Sequence, residues 1–313
     1  MKSFKIKFFC FFAFFWILQT TFAQAEELWL KNISVLDLKK LYQESSYEGF
    51  KSYLMIPKHE YPPIFLENLP KGFSSITDET ERNALFIKII APLALKLNQD
   101  ILKERQVITS LNETFEKENK LSDKDIRLLE QKAEKYDIFS RLKGSERYAH
   151  LLAELLKRVD IIAPSIMITA AAIDTNWGTA RISTEGNSLY KTYLWHTDKG
   201  LKPLGEKEDD SYRLKTYPSL YASMKEFALK INSHRAFHLM RIMRDERRPI
   251  EQYPSGLLMA PYLLGNSPLK NYAGLFEYTM AYYEFLEIDK SSLADNMLTK
   301  DLIQKYSRYR IKK

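Results

Sequence analysis

An apolar stripe between residues 85 and 97 constrains the fold more than any other feature of this sequence. Apolar residues recur there at three- and four-residue spacing, at Leu85, Phe86, Ile89, Ile90, Leu93 and Leu97. This is the period of an α-helix that buries one face. Glycine is scarce, with 10 residues in a chain of 313, and apolar residues seldom alternate with polar ones. The sequence therefore predicts a mainly α-helical protein.

Local signals predict where several elements begin. Capping residues at 75–78 start the helix that carries the stripe, and Pro92 is expected to kink it. Ser122 and Asp125 have the spacing of a capping box, and Pro164 suits the first turn of another helix. Further helices are predicted at 145–159, 219–231, 234–247 and 271–286, and a loop or small β-hairpin at 197–217.

The first 25 residues have the layout of a secretory signal peptide. Three lysines precede an apolar run from Phe8 to Leu18, and AQA at 23–25 provides a cleavage site before Glu26. The run is shorter than the about 20 apolar residues that span a bilayer, and an uncleaved anchor is the alternative. We expect cleavage, no stable membrane span afterwards, and a protein exported to the periplasm or secreted.

Cleavage would remove Cys10, the single cysteine of the chain. Disulfides, cysteine nucleophiles and thiolate metal sites are then excluded. Cleavage would also remove three lysines and no acids, which lowers the formal net charge from +7 to +4. Basic clusters at 244–248 and at the C-terminus are interpreted as solvated faces and a frayed tail, with weak attraction to an anionic polymer as the alternative. No nucleic-acid-binding motif accompanies them, so we expect no nucleic-acid partner.

Most catalytic motifs are absent from the sequence. It has no G-x-S-x-G element, Walker A loop or G-x-G-x-x-G element. His234 and His238 have the spacing of metal ligands, but the residues between them lack the glutamate of an H-E-x-x-H metalloprotease. We therefore expect no metal and no cofactor, and carboxylate chemistry remains.

Asp174 is the strongest candidate for such chemistry. It ends an apolar, alanine-rich segment, and Asn-Trp-Gly follows it after one threonine. Apolar neighbours and an indole would desolvate the carboxyl group and raise its pKa. A glycosidase keeps a general acid protonated near neutral pH in this way. The alternative is an aspartate that caps the end of its helix through backbone N–H groups.

Four segments, in order, carry a resemblance to a known family. They are PPIFLENLP with ERNALFIKIIAPLALKLNQDILKER, then APSIMITAAAIDTNWGTARISTEGNSLY, TYPSLYASMKEFALKINSHRAFHLMR and SPLKNYAGLFEYTM. Together they resemble the Bax-type secreted glucosaminidases, relatives of bacterial peptidoglycan endo-β-N-acetylglucosaminidases. The resemblance implies a lysozyme-like helical glycosidase domain with a small loop or β-hairpin lobe. The chain would comprise a signal peptide (1–25), a helical N-terminal region (26–143), the glucosaminidase domain (144–290) and a basic C-terminal tail (291–313).

The resemblance also implies roles for individual residues. Asp174 stands where the family has its catalytic glutamate, and Tyr272 matches a tyrosine of the active-site cleft. Residues expected to contact substrate, the aromatic ones by stacking on sugars, are Trp177, Glu185, Asn187, Tyr190 and Trp195. A second acid is expected among Glu206, Glu208, Asp209 and Asp210. A solvated acidic loop, or an N-acetyl group of the substrate in place of the second acid, are the alternatives.

One departure from the family's pattern leaves two functions open. Aspartate is one methylene shorter than glutamate, which withdraws the carboxyl group by roughly 1.3–1.5 Å on an unchanged backbone. A misplacement of about 1 Å costs on the order of 100-fold in rate. The sequence thus fits an active glycosidase of peptidoglycan or another N-acetylglucosamine-containing glycan. It also fits a catalytically weak or inactive binding or scaffold protein on the same fold.

Overall fold

The computed structural model describes residues 26–47, 60–203, 212–249, 255–264, 271–295 and 297–311. The predicted signal peptide and the four candidate second acids at 206–210 lie outside these residues. Within them the chain is mainly helical, as the sequence predicts. The α-helices are α1 (Val35–Glu44), α2 (Glu79–Glu118), α3 (Asp123–Lys135), α4 (Gly144–Arg158), α5 (Pro164–Thr175), α6 (Arg181–Thr184), α7 (Leu220–Ser233), α8 (His238–Arg247), α9 (Gly256–Leu264), α10 (Tyr272–Tyr282) and α11 (Lys300–Lys305).

Short strands accompany these helices. They are β1 (Leu28–Leu30), β2 (Glu60–Tyr61), β3 (Ile64–Leu66), β4 (Tyr193–Trp195), β5 (Tyr212–Leu214) and β6 (Ser292–Leu293). β1 pairs in parallel with β3, and β2 pairs in parallel with β6. β4 and β5 form an antiparallel hairpin, which confirms the hairpin predicted near this position. No helix in the described part of the chain is both long enough and apolar enough to cross a membrane.

Helix α2 carries the apolar stripe and supports the rest of the fold. Asp78 caps it, because the side chain accepts a hydrogen bond of 2.9 Å from the Glu81 N–H. The helix is 40 residues long and continues through Pro92. Its stripe is buried, and α2 packs against α4, α5 and α7. The N-terminal region predicted at 26–143 therefore contacts the helices that follow it directly.

The predicted caps of α3 and α5 are also present. Ser122 Oγ donates to Asp125 Oδ2 at 2.6 Å and accepts from the Asp125 N–H at 3.2 Å. Pro164 occupies the first turn of α5, where its missing N–H costs no hydrogen bond. Local sequence signals thus set the start of both helices.

The C-terminal segment is not the frayed tail that its charge pattern suggests. Thr299 caps α11, and Tyr306 is buried. The Lys31 N–H donates to the Tyr309 carbonyl at 2.9 Å, and Tyr309 Oη donates to Asp37 Oδ2 at 2.6 Å. The segment therefore closes against β1 and α1 through contacts that are distant in sequence.

The basic cluster at 244–248 is likewise not a uniformly solvated face. Arg244 is fully buried, and its Nη1 donates to Asn232 Oδ1 at 2.9 Å and to the Ile161 carbonyl at 3.0 Å. Arg248 Nη1 lies 2.8 and 2.9 Å from the two carboxylate oxygens of buried Asp160. These arginines tie α8 to the end of α4 and to α7, so the interpretation as a solvated face is wrong for both.

Candidate active site

Helix α5 leads from the core to Asp174 in its last turn. Every residue from Pro164 to Ala172 is buried, and α5 packs against α2, α9 and α10. Asp289 fixes its start. One oxygen of this buried carboxylate accepts from the Ser165 N–H at 2.8 Å, and the other accepts from Ser165 Oγ at 2.9 Å and from the Gly256 N–H at 2.8 Å. The helix that positions Asp174 is therefore anchored at its N-terminus.

A tight turn of left-handed residues ends α5 directly after Thr175. Asn176, Trp177 and Gly178 have φ angles of 48°, 55° and 78°. Asparagine and glycine accept such angles readily, whereas tryptophan adopts them only where its surroundings hold it there. The Trp177 ring packs against Tyr283, with 4.3 Å between ring centroids, and also contacts Phe86 and Phe285. This aromatic packing holds the turn.

The Asp174 carboxylate does not cap this turn. The Asn176 and Trp177 N–H groups donate instead to the carbonyls of Ile173 and Ala172, at 3.4 and 2.8 Å. Asp174 Oδ2 accepts one hydrogen bond, of 3.1 Å, from the Lys191 N–H. Within the described residues its Oδ1 has no hydrogen-bond partner. The geometry differs from that of a structural helix cap.

Burial raises the pKa of the Asp174 carboxyl above its usual value. The hydrogen bond from the Lys191 N–H and the positive charge of Lys191 lower the pKa of Asp174 by a smaller amount. Desolvation prevails because it penalises the ionised form of a carboxyl group that has few donors around it. The surroundings therefore shift the pKa of the Asp174 carboxyl upward, the direction expected from its apolar neighbours in the sequence.

Asp174 lies in the wall of a cavity of about 460 Å³. This volume is within the range of small-molecule and cofactor sites, roughly 300–1,000 Å³. Tyr190 and Phe227 stack in the same wall, with 3.9 Å between ring centroids and 8° between ring planes. Helix α7 adds Glu226 and Lys230. The cavity thus combines an acid, an aromatic stack and charges of both signs.

Tyr190 and Tyr272 lie near Asp174. Burial raises the pKa of both phenols, and negative charge at Asp174 raises both further. Tyr190 Oη donates to the Met167 carbonyl at 3.2 Å, so its ring is fixed against α5. Tyr272 begins α10 and is partly buried. The structure thus brings together the predicted acid and the predicted cleft tyrosine.

Among the described residues that line this cavity, Tyr190 is the one predicted substrate contact, and the predicted cleft residue Tyr272 lies outside the lining. Trp177 packs in the aromatic cluster described above. Glu185 is exposed and forms an ion pair of 2.8 Å with Arg181. Asn187 donates to the Tyr217 carbonyl at 3.2 Å. Trp195 lies 62 % exposed on the β4–β5 hairpin. Their contact with substrate stays a prediction.

Glu226 is a carboxylate of the cavity that the sequence did not single out. It forms an ion pair with Lys215 and accepts a hydrogen bond of 3.0 Å from Tyr217 Oη. Both partners follow β5, whereas Glu226 lies in α7. On the sequence alone it is one of many glutamates on amphipathic helices, and its role emerges only from this tertiary pairing. The structure therefore adds Glu226, together with Asp137, to the carboxylates that line the cavity of Asp174.

His234 and His238 show no arrangement for a metal ion. The described residues contain no group of three or more His, Cys, Asp or Glu side chains placed to hold one. His234 Nδ1 instead accepts a hydrogen bond of 3.2 Å from the Ala236 N–H at the start of a 3₁₀ turn. This histidine caps the turn that precedes α8.

Comparison with known proteins agrees with the motifs of the sequence. The family model described as Glucosaminidase: Mannosyl-glycoprotein endo-beta-N-acetylglucosaminidase matches residues 149–309, just over half of the chain. Protein bax of Escherichia coli (strain K12) is 26% identical over 193 residues, which cover 60% of this chain and 64% of that protein. No solved structure matches the chain. The chain therefore belongs to the glucosaminidase family and has a Bax-type relative, as its motifs indicate.

Proposed function

We propose that this protein is an exported glycosidase that cleaves N-acetylglucosamine linkages in peptidoglycan. The observation that carries the proposal is Asp174, whose partly buried carboxyl group with a raised pKa lies in the wall of a cavity. Family membership supports the reaction class. Export is proposed from the layout of residues 1–25.

In the proposed reaction, Asp174 donates its proton to the glycosidic oxygen as the bond to the sugar carbon breaks. Oδ2 is held by the Lys191 N–H, so Oδ1 is the oxygen that carries the proton. General acid catalysis of this kind contributes about 10²–10⁴-fold to the rate. Tyr272, beside Asp174, orients the substrate or stabilises the electron-deficient sugar ring.

Among the described residues, Glu226 and Asp137 share the cavity with Asp174, and we assign the second role to Glu226. Lys215 and Tyr217 hold Glu226 in position. A carboxylate opposite the acid stabilises the oxocarbenium-like transition state or activates the attacking water. The loop acids Glu206, Glu208, Asp209 and Asp210 stay predicted alternatives, as does participation of the substrate's N-acetyl group.

The second candidate function is a glycan-binding protein without turnover. It is motivated by aspartate at position 174, where the family has glutamate. The packing of Trp177 on Tyr283 fixes the turn that follows the helix of Asp174. The Asp174 carboxylate already accepts a hydrogen bond from the Lys191 N–H. Because the backbone around Asp174 is held in place, it has little freedom to move and compensate for the methylene by which aspartate is shorter than glutamate. Binding of glycan without cleavage would fit these restraints.

Mass spectrometry of peptidoglycan digested by residues 26–313 distinguishes the two functions. The proposal predicts products with new reducing ends that carry N-acetylglucosamine. Intact glycan after long incubation, with the protein bound to it, would instead support the binding protein. An Asp174→Glu variant is assayed in the same way. Turnover by this variant and not by the unmodified protein would indicate that an ancestral activity has been lost.

A further inference from the structure

A second cavity, of about 400 Å³, lies beside the one that contains Asp174. Helix α7 supplies one side of it, and the N-terminal region supplies the other through α2, α3 and Tyr136. Its floor is apolar, because Leu97, Ile101 and Ala228 are buried there. Neither the predicted site residues nor the family match accounts for this cavity.

The two cavities meet along a crest of α7. Glu226 and Leu229 line both of them, and residues three apart are neighbours on the surface of a helix. Lys230 faces the Asp174 side of this crest, and Lys225 faces the other. A single helix, about 10–12 Å across with its side chains, therefore separates the two spaces.

The acids of the second cavity already have cationic and hydroxyl partners. Glu104 accepts from Lys132 at 2.7 Å and from Tyr136 Oη at 2.9 Å, and it also binds Lys135. Asp100 accepts from Lys96 at 2.9 Å. These carboxylates are therefore occupied, and their charges leave little attraction for a further cation.

Lys225 is the cation of this cavity that remains open to a ligand. It is exposed, and its ammonium group lies 5.4 Å from the centroid of the Tyr221 ring. Among the residues that the structure describes, no carboxylate oxygen forms an ion pair with it. An ammonium group above an apolar floor is suited to a ligand with a carboxylate and small apolar groups.

The lining fits a charged ligand better than a neutral sugar. In intact peptidoglycan the sugars are uncharged, because the lactyl carboxyl group of muramic acid is amide-linked to the peptide, and they favour open aromatic faces. Tyr136 is only 2 % exposed, and Tyr221 lies beneath Lys225. In peptidoglycan, charge resides on the short peptides attached to the glycan. At about 3.3–3.6 Å per residue, three or four extended residues reach across a helix of about 10–12 Å.

We propose that the second cavity binds the carboxylate-bearing peptide branch of peptidoglycan, while the glycan lies beside Asp174. This inference rests on the proposed function, because it uses the same substrate. It gives the N-terminal region a specific task, since α2 and α3 build one wall of the branch site. The protein then prefers glycan that still carries its peptides.

Cosedimentation tests this preference without depending on catalysis. The Asp174→Asn variant of residues 26–313 is mixed with insoluble peptidoglycan, either intact or stripped of its peptides by an amidase, with the lactyl carboxyl groups that this exposes blocked as amides. We expect tighter binding to the intact material. Adding Lys225→Met should weaken that binding by about three- to tenfold, between the effect of an exposed ion pair and that of a charge-assisted hydrogen bond.

Lys124→Met is the matched control, because Lys124 is an exposed lysine of α3 that lines neither cavity. It should keep the preference for intact peptidoglycan. Equal affinity for the two materials, or equal weakening by Lys124→Met and Lys225→Met, would overturn the branch site. Release of reducing ends by the protein with Asp174 is measured separately. Its absence would contradict the glycosidase but leave the binding comparison valid.

Discussion

Replacement of Gly178 by alanine tests whether the turn behind Asp174 is as tightly constrained as its geometry indicates. Gly178 has a φ of 78°, and a Cβ atom there would lie 2.9 Å from Phe73 Cε1 and 2.9 Å from Phe86 Cδ2. The left-handed conformation costs an alanine about 1–2 kcal/mol. Forcing a methyl group between two packed rings costs about 1–3 kcal/mol more. We expect Gly178→Ala to lower the free energy of unfolding by about 2–5 kcal/mol.

Urea denaturation measures this loss. With an m-value of about 3 kcal/mol per molar urea, the midpoint should fall by roughly 1 M. Gly274→Ala is the control, because Gly274 lies in α10 and nothing lies within 4 Å of an added Cβ. That change should raise stability by about 0.5–1 kcal/mol, since alanine is the better helix former. A midpoint for Gly178→Ala equal to or above that of the unmodified protein would refute the reasoning about the turn.

Three further predictions concern ionisable groups. Burial raises the pKa of Asp289 to about 6, so the folded state binds more protons than the unfolded state between about pH 4 and 6. The free energy of unfolding should therefore fall as pH rises through this window, by about 3 kcal/mol for a shift of about two pKa units. Asp289→Asn should remove this slope from a plot of urea midpoint against pH. Parallel plots for the variant and the unmodified protein would contradict this. Glu226→Gln should lower kcat by at least about tenfold at unchanged stability, and an unchanged kcat would exclude Glu226 from the second role. Since burial raises the pKa of Asp174, the alkaline limb of the pH profile of kcat/KM should lie above pH 3.8, the ordinary pKa of an aspartate, and a limb at or below this value would contradict the proposed acid.

Local signals predicted the helices that carry the site. Asp78, Ser122 and Pro164 each fix a helix start through a hydrogen bond or a backbone angle within a few residues, so the sequence is sufficient to find them. Strands β1 and β3 escaped prediction because every residue in them is buried, which removes the alternation that marks a half-exposed strand. Their parallel pairing joins segments that are far apart in the chain.

The sequence predicted those residues of the site that belong to recognisable motifs, and no others. Asp174 and Tyr272 come from motifs, and the structure places them within electrostatic reach of each other. Glu226 gains its place in the cavity from Lys215 and Tyr217, across the end of the hairpin. The packing of Trp177 on Tyr283 depends equally on a distant helix end. Such contacts leave no pattern in the sequence around either residue.

The most direct test of the account compares the rates at which residues 26–313 and their Asp174→Asn variant release reducing ends from peptidoglycan. We expect measurable release by the unmodified protein and a loss of about 10²-fold or more in the variant, because the amide of asparagine is far too weak an acid to protonate the leaving oxygen. Matching urea midpoints would show that both proteins are folded. Equal rates for the two proteins would contradict the assignment of Asp174 as the acid.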